Sequence, residues 1–288
     1  MQAFVYIDGQ IVPKEEAKIS IFDLSVCRGY AIFDFMRTYQ KRPFRLANHL
    51  ERFVASAKTI DLPMPLSKDE IAAVIDQLLA HAPYSEANIK IFLTGGESND
   101  QYAPEGHPKF FALVYPIKSF PEAMYSQGIK LISEMYERPY PSCKSTHYLT
   151  SIVASRRAQR RGADDVLFLN HRHEILETGS ANFFGIKKGV VITSKEGIIA
   201  GITRQVVLEL LEAKHVPCEV RSITDQEIDA FDGAFITSSS KEIVPVVQID
   251  QKKLLLHPLI GQLTHHFRSY TQEESKTSQS KCVARGRE

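Results

Sequence analysis

The sequence predicts a two-domain α+β protein. At 288 residues, set against about 150 residues per domain, the chain is long enough for two cores. Its first 118 residues run strands, helices, strands, the order of an α+β domain. The segment "SFPEAMYSQG", residues 119–128, carries linker signals, and a second series of strands and helices follows over 129–270.

Residues 2–12 read as a hairpin, with Asp8-Gly9 supplying left-handed turn geometry between "FVYI" and "QIV". A second strand pair is expected in "AIFDFMRTYQKRPFRL", with Lys41-Arg42-Pro43 as its turn. The period then becomes helical: Leu50, Phe53, Ala57 and Ile60 form one stripe, while Arg52 points elsewhere. "SKDEIAAVIDQLLAH" opens with a capping box from Ser67 to Glu70. The strands "ANIKIFLTGG" and "KFFALVYPI" close this half.

The second half starts with the strand "IKLISEMYE" and passes through the irregular "RPYPSCKSTHY". A helix over roughly 150–161 stops at Gly162, and two hairpins follow, "DVLFLNHRHEILET" and "ANFFGIKKGVVITS". "RQVVLELLEAKH" is an amphipathic helix, Thr224 to Glu227 caps a short one, and "GAFITSSS" is a strand ending in hydroxyls. The segment 271–288 is polar and low in hydrophobes, and is expected to be a mobile tail.

A hydrophobic fraction of 43% with 24% charged residues is ordinary for a globular chain and favours neither a disordered nor a fibrous class. A net charge of +1 gives no field to gather nucleic acid or an anionic membrane. No window approaches the run of about 18 apolar residues that marks a span. The amino terminus lacks the basic and apolar regions of a secretory signal. The scattered Cys27, Cys143, Cys218 and Cys282 suit a reducing cytoplasm. His171 and His173, without a third ligand nearby, match no zinc set, so no metal is expected.

Four features can carry chemistry. Thr203, read as the N-cap of the "ITRQVVLELL" helix, either caps that helix alone or helps its dipole hold an anion such as phosphate. Ser238, Ser239 and Ser240 are turn hydroxyls or phosphate ligands. Lys144, in a proline-rich stretch, is a solvated charge or a Schiff-base nucleophile. Glu177 is an unusual lone acid in the apolar "ILETGSANFFGI".

Taken together, "RGYAIFDFMRTY", "RPFRLANHLERFVASAK", "CKSTHYLTSIVA", "ILETGSANFFGI", "GITR" and "FITSSSKEIVPV" resemble, in order and spacing, the class IV (fold-type IV) aminotransferases. These pyridoxal-phosphate enzymes include branched-chain and D-amino-acid transaminases and aminodeoxychorismate lyase. The resemblance implies a smaller amino-terminal α+β domain, a larger carboxy-terminal domain with a β-barrel-like core, a cofactor between the two, and a homodimer. It makes Lys144 the catalytic lysine and Glu177 the partner of the ring nitrogen. Arg52, Ile202, Thr203, Ser238 and Ser239 become phosphate ligands, Tyr148 approaches the ring hydroxyl, and Asn182 belongs to the turn beside the cofactor. Phe33, Phe35, Arg37 and Lys90 line the substrate pocket.

Departures from the family pattern bear on substrate. The Arg-x-His pair of the D-alanine enzymes is missing from "LTGGESNDQYAP". The branched-chain "FEGIRAY" appears as "FDFMRTY", with Phe35 in place of glycine, and the family's Tyr-x-Arg appears as Asn88-Ile89-Lys90. Asp34 stands where the lyases place threonine. The expected activity is transfer of an amino group between a branched-chain L-amino acid and a 2-oxo acid such as 2-oxoglutarate. A D-amino-acid transaminase and a lyase are the alternatives.

Overall fold

The computed structural model describes residues 2–285, with side chains as far as Glu274. The chain divides into two units. One holds the chain up to Lys118, Cys143–His147, and Thr271 onward; the other holds Ser119–Ser142 and Tyr148–Tyr270.

The first unit contains β1 (Phe4–Ile7), β2 (Gln10–Pro13), α1 (Leu24–Cys27), β3 (Ala31–Tyr39), β4 (Arg42–Pro43), α2 (Leu46–Thr59), α3 (Lys68–His81), β5 (Ala87–Thr94) and β6 (Lys109–Pro116). Its strands make an antiparallel sheet in the order β2-β1-β6-β5-β3-β4. Asp8 and Gly9 turn the first hairpin at φ 52° and 80°. The turn from β3 to β4 lies one residue earlier than the sequence suggested. Gln40 and Lys41 occupy it at φ 51° and 63°, while Pro43 pairs with Thr38 on the two-residue edge strand. Two left-handed residues match the strands' twist, and an edge tolerates proline's missing N–H.

The helical stripe packs as its period requires. Leu50, Phe53 and Ala57 of α2 join Ile71, Ile75 and Leu78 of α3 over Ile32, Met36, Ile89 and Ile91 of the sheet. The α3 capping box is present: Ser67 Oγ accepts from Glu70 N at 3.2 Å, and Glu70 Oε2 accepts from Ser67 N at 2.7 Å. Cys143–His147 belongs here because it pairs with β3, Phe33 N donating to Lys144 O and Thr146 N to Ala31 O, each at 3.0 Å.

The second unit contains α4 (Ala123–Ser126), β7 (Ile129–Met135), α5 (Leu149–Arg160), β8 (Asp165–Leu169), β9 (Ile175–Thr178), β10 (Asn182–Lys187), β11 (Val190–Thr193), α6 (Ile202–Ala213), β12 (Cys218–Val220), a 3-10 turn (Asp225–Ala230), β13 (Gly233–Ser238), β14 (Glu242–Ile249) and β15 (Lys252–Lys253). The path β10-β13-β14-β7-β8-β9 returns to β10 through a β9–β10 pairing, so six strands close into the expected barrel. Parallel pairing of β14 with β7 and of β7 with β8 sets this ring apart from an up-and-down barrel. Leu131, Leu167, Phe183, Ile236, Val244 and Val246 form its buried cluster. Buried on both sides, such strands read as continuous apolar runs rather than alternating ones.

The segment 271–288, expected as a mobile tail, begins as helix: α7 runs Pro258–Arg285. Thr271 is buried and Glu274 meets Arg45 at 3.3 Å. Glutamates and glutamine are adequate helix formers, so low hydrophobicity alone does not end a helix anchored at its start. The side chains beyond Glu274, Cys282 included, and residues 286–288 lie outside the described residues.

Candidate active site

In the second unit Glu177 is 6% exposed, on a strand buried along its whole length. A buried carboxylate needs a counter-charge and hydrogen bonds. Arg138, from the proline-rich stretch, donates through Nη2 to Glu177 Oε1 at 3.2 Å. Ile199 N and Asn182 Nδ2 donate to Oε2 at 3.1 and 3.3 Å. Burial works most strongly against the charge on Arg138, yet the facing Glu177 carboxylate, together with Tyr148 and Tyr136, outweighs it and raises the guanidinium's pKa. Tyr148 lies 5.2 Å beneath the same guanidinium, a cation–π contact. Arg138 Nε and Nη1 are buried without a hydrogen-bond partner among the described residues.

Helix α6 begins at Ile202, with Gly201 as its N-cap. Thr203 is therefore not the cap, as the sequence suggested, but the second helical residue, 3% exposed. A residue this deep in the first turn turns its own N–H, rather than a capping hydroxyl, toward the helix's positive end. Ser238, at the end of β13, and Ser239 and Ser240, just beyond it, are half-buried. Ser238 Oγ accepts from Lys241 N at 3.2 Å. Thr237, opposite Asn182 in the β10–β13 register, is 2% exposed with no partner for Oγ1 among the described residues. One unit thus brings together Glu177, Tyr148, Asn182, Ile202, Thr203 and the hydroxyl run.

The donor set fits a flat heteroaromatic phosphate. It offers a buried acid for a protonated ring nitrogen, a helix N-terminus for phosphate, and an orphaned buried hydroxyl.

In the first unit β3 alternates from Ile32 onward. Asp34 and Met36 are buried on one face; Phe33, Phe35 and Arg37 stand half-buried on the other. Lys90 is opposite Phe35 in β5, so the four pocket residues expected from the sequence share a face. Lys144 Nζ lies 4.6 Å from the centre of the Phe33 ring, and Ser56 Oγ holds its backbone N at 3.1 Å.

Behind β3, Arg52 grips Asp34 with two bonds, Nε to Oδ2 at 2.9 Å and Nη2 to Oδ1 at 2.8 Å. His49 Nδ1 sits 2.7 Å from Asp34 Oδ1. Burial opposes ionisation of Asp34, but Arg52 and then His49 outweigh it and hold its pKa well below the usual carboxylate range. Burial pushes His49 down, Asp34 pulls it partly back, and Arg52 and Lys144 push it down again. His49 is thus the neutral member of the group.

Sequence reasoning passed over His49, Arg138 and Thr237. His49 and Arg52 are three apart on a helix, a legible signal for a shared face. Arg138 sits in an irregular segment with no period to read, and Thr237 looked like any strand hydroxyl. The remaining candidates play local parts: His171 pairs with Glu137 at 3.2 Å and His173 with Asp225 at 2.9 Å.

Residues 31–249 match the model of the family described as amino-transferase class IV. The chain is 30% identical to a putative branched-chain-amino-acid aminotransferase of Methanocaldococcus jannaschii, over 90% of this chain and 92% of the relative. It is 29% identical to a D-alanine aminotransferase of Listeria monocytogenes, over 85% and 87%. Among solved structures, the branched-chain aminotransferase of Thermoproteus uzoniensis with norvaline superimposes with a TM-score of 0.89 at 25% identity, covering 96% of this chain and 97% of that one.

Proposed function

The chain belongs to the class IV aminotransferases, and from that membership we propose that it transfers the amino group of a branched-chain L-amino acid to a 2-oxo acid such as 2-oxoglutarate. The cofactor of the family is pyridoxal phosphate. Bound, it supplies an electron-withdrawing ring that stabilises negative charge at the substrate's α-carbon.

The protein's own part divides among the residues above. Lys144 binds the cofactor through Nζ and moves the proton at the substrate's α-carbon. Glu177 holds the proton on the ring nitrogen, because an anion there raises that nitrogen's pKa, and Arg138 supplies the carboxylate's counter-charge within the protein. Arg52, the N–H groups of Ile202 and Thr203, and Ser238 with Ser239 hold the phosphate. Tyr148 orients the ring through its hydroxyl, and Asn182 supports the turn.

The preference for branched aliphatic side chains rests on one observation: Phe33 and Phe35 present apolar rings on the same sheet face as Arg37 and Lys90. Rings accept an aliphatic side chain and exclude water, while the two cations suit carboxylates. The D-alanine relatives support a second reading, a D-amino-acid transaminase. The segment from Leu93 to Pro104 speaks against it, because it lacks the Arg-x-His pair.

The enzyme is proposed to work as a homodimer. Leu149, Ile152 and Val153 on α5 are 68%, 56% and 37% exposed, an apolar patch that a second copy would cover. Among the described residues Cys27, Cys143 and Cys218 are thiols rather than disulfide partners, which suits the cytoplasm. Among the described residues no helix is long and apolar enough to cross a membrane.

Half-reactions with paired L- and D-amino acids test the assignment. Fastest conversion of bound cofactor by L-leucine, L-isoleucine or L-valine supports it, and faster conversion by D-alanine replaces it with the second reading. Pyruvate released from aminodeoxychorismate without an acceptor would make the enzyme a lyase. Borohydride should fix the cofactor on Lys144; fixation elsewhere, or on a Lys144→Ala variant at the same site, rejects the lysine assignment.

A further inference from the structure

Asn182 occupies a place that its expected role beside the cofactor does not explain. Its Nδ2 donates both to Glu177 Oε2 at 3.3 Å and to Ile199 O at 2.8 Å. The N–H of Ile199 in turn donates to the same Glu177 oxygen at 3.1 Å. Asn182 thereby ties the acid to the strand-to-helix connection that leads into α6. Its other atom, Oδ1, fills the space where a side chain on the helix's N-cap would stand: a Cβ built on Gly201 would fall 2.0 Å from it. Gly201 has φ −67° and ψ 132°, a conformation open to every residue. Glycine at the N-cap therefore serves space and not backbone geometry; it leaves room for this carboxamide.

The two contacts sit at opposite ends of what a pyridine phosphate requires. One end is the acid for the ring nitrogen and the other is the helix N-terminus for the phosphate. We propose that Asn182 is a positioning residue that fixes the distance between Glu177 and the N-terminus of α6, so that the two halves of the cofactor bind as one chelated unit. It acts through Glu177 and Gly201. The inference rests on the reading of these two points as the ends of the cofactor site.

Chelation has a signature that simple loss of a contact lacks. Two ends held at a fixed spacing reinforce each other for the whole ligand, while fragments bind each end alone. Apoenzyme is titrated with pyridoxal phosphate, with pyridoxal, and with inorganic phosphate, following intrinsic fluorescence and heat of binding. Asn182→Ala should weaken pyridoxal phosphate by about tenfold or more while changing each fragment by less than about threefold. Gly201→Ala, whose new methyl must displace the carboxamide, should weaken the whole cofactor similarly. The double variant should be no worse than either single one, because removing the carboxamide removes the clash.

Losses that multiply in the double variant, or fragments weakened as much as the whole, would overturn the proposal. Should Asn182→Ala fail to fold, Asn182→Ser with Gly201→Ala supplies the same cycle. Failure of the parent protein to bind pyridoxal phosphate at all would instead strike the site itself, an outcome distinct from additivity in a protein that does bind it.

Discussion

Glu177 and Asn182 are the one register pair that joins β9 to β10, and their side chains also touch at 3.3 Å. The closure of the barrel and the placement of the buried acid are therefore a single event. A strand slip of one residue would turn both side chains to the opposite face, opening the ring and removing the acid from Arg138 together. This explains why an acid survives in a strand whose four residues are all buried. Its desolvation cost is offset by three identified donors, and the turn of Gly179 and Ser180 returns the chain at the spacing the pair needs.

Breaking the Arg138–Glu177 pair from one side should cost more than removing it. Glu177→Gln leaves a guanidinium that is 6% exposed facing a neutral amide, and single-sided loss of a buried pair costs about 3–5 kcal/mol. Urea unfolding of apoenzyme should show that loss in Glu177→Gln and a partial recovery in Glu177→Gln with Arg138→Met. Equal stability of parent and single variant would show that the pair contributes nothing. Turnover of the holoenzyme should fall in both variants, since neither holds a proton on the ring nitrogen.

His49 gives stability a pH dependence of known sign. Its pKa is lower in the folded protein than in the unfolded chain, so between the folded value and the ordinary value near 6.5 the unfolded chain binds more protons. The contribution is therefore present above about pH 6.5 and declines as the pH falls below it. Asp34, also lowered, adds a separate loss only in stronger acid, starting near the ordinary aspartate value of about 3.9. The stability difference between parent and His49→Gln, followed by urea unfolding from pH 8 to 5, should move in favour of the variant as the pH falls. A difference that stays constant would show that His49 does not titrate differently on folding.

The legible parts of this chain were those with a period or a cap. The α2 stripe of Leu50, Phe53 and Ala57, the Ser67–Glu70 box and the Asp8-Gly9 hairpin each follow from local rules, and each is present. Local rules failed where long-range contacts decide. The N-cap of α6 is Gly201 rather than Thr203, and that glycine leaves space for a residue nineteen positions earlier, a requirement no local rule shows. Polar residues from Thr271 kept a helical course that composition alone had read as a tail. At the site, Glu177 stood out by its odd surroundings while Lys144 read equally as a solvated charge, and the roles of both came from the resemblance. Arg138 had no such mark, because an arginine just ahead of two prolines looks solvated until its partner thirty-nine residues later is known.

Arg52 should resist replacement by lysine. Its fork spans both oxygens of Asp34, a geometry that a single ammonium cannot reproduce. In its proposed role the same guanidinium also donates to the phosphate, and a charge-assisted hydrogen bond there contributes about 1.5–3 kcal/mol, so its loss corresponds to about tenfold or more in affinity. Arg52→Lys should lose cofactor on dialysis well before the parent, read from the visible absorbance that remains. Retention equal to the parent would remove Arg52 from the phosphate-binding set.

Phe35 offers the sharpest test of substrate choice, because it stands where the resemblance expects glycine. The ring shares its face with Phe33 and Arg37, and Lys90 Nζ lies 6.0 Å from its centre. Phe35→Ala enlarges that face without touching Lys144 or Glu177, so the chemical step keeps its machinery while side-chain discrimination changes. A pocket change of a few carbon atoms shifts discrimination by about 1–3 kcal/mol. The ratio of kcat/KM for phenylalanine to that for leucine should then rise by about tenfold or more. Leucine itself should lose affinity, seen as a higher KM with kcat nearly unchanged. A constant ratio would place Phe35 outside the substrate pocket and remove the main support for the branched-chain assignment.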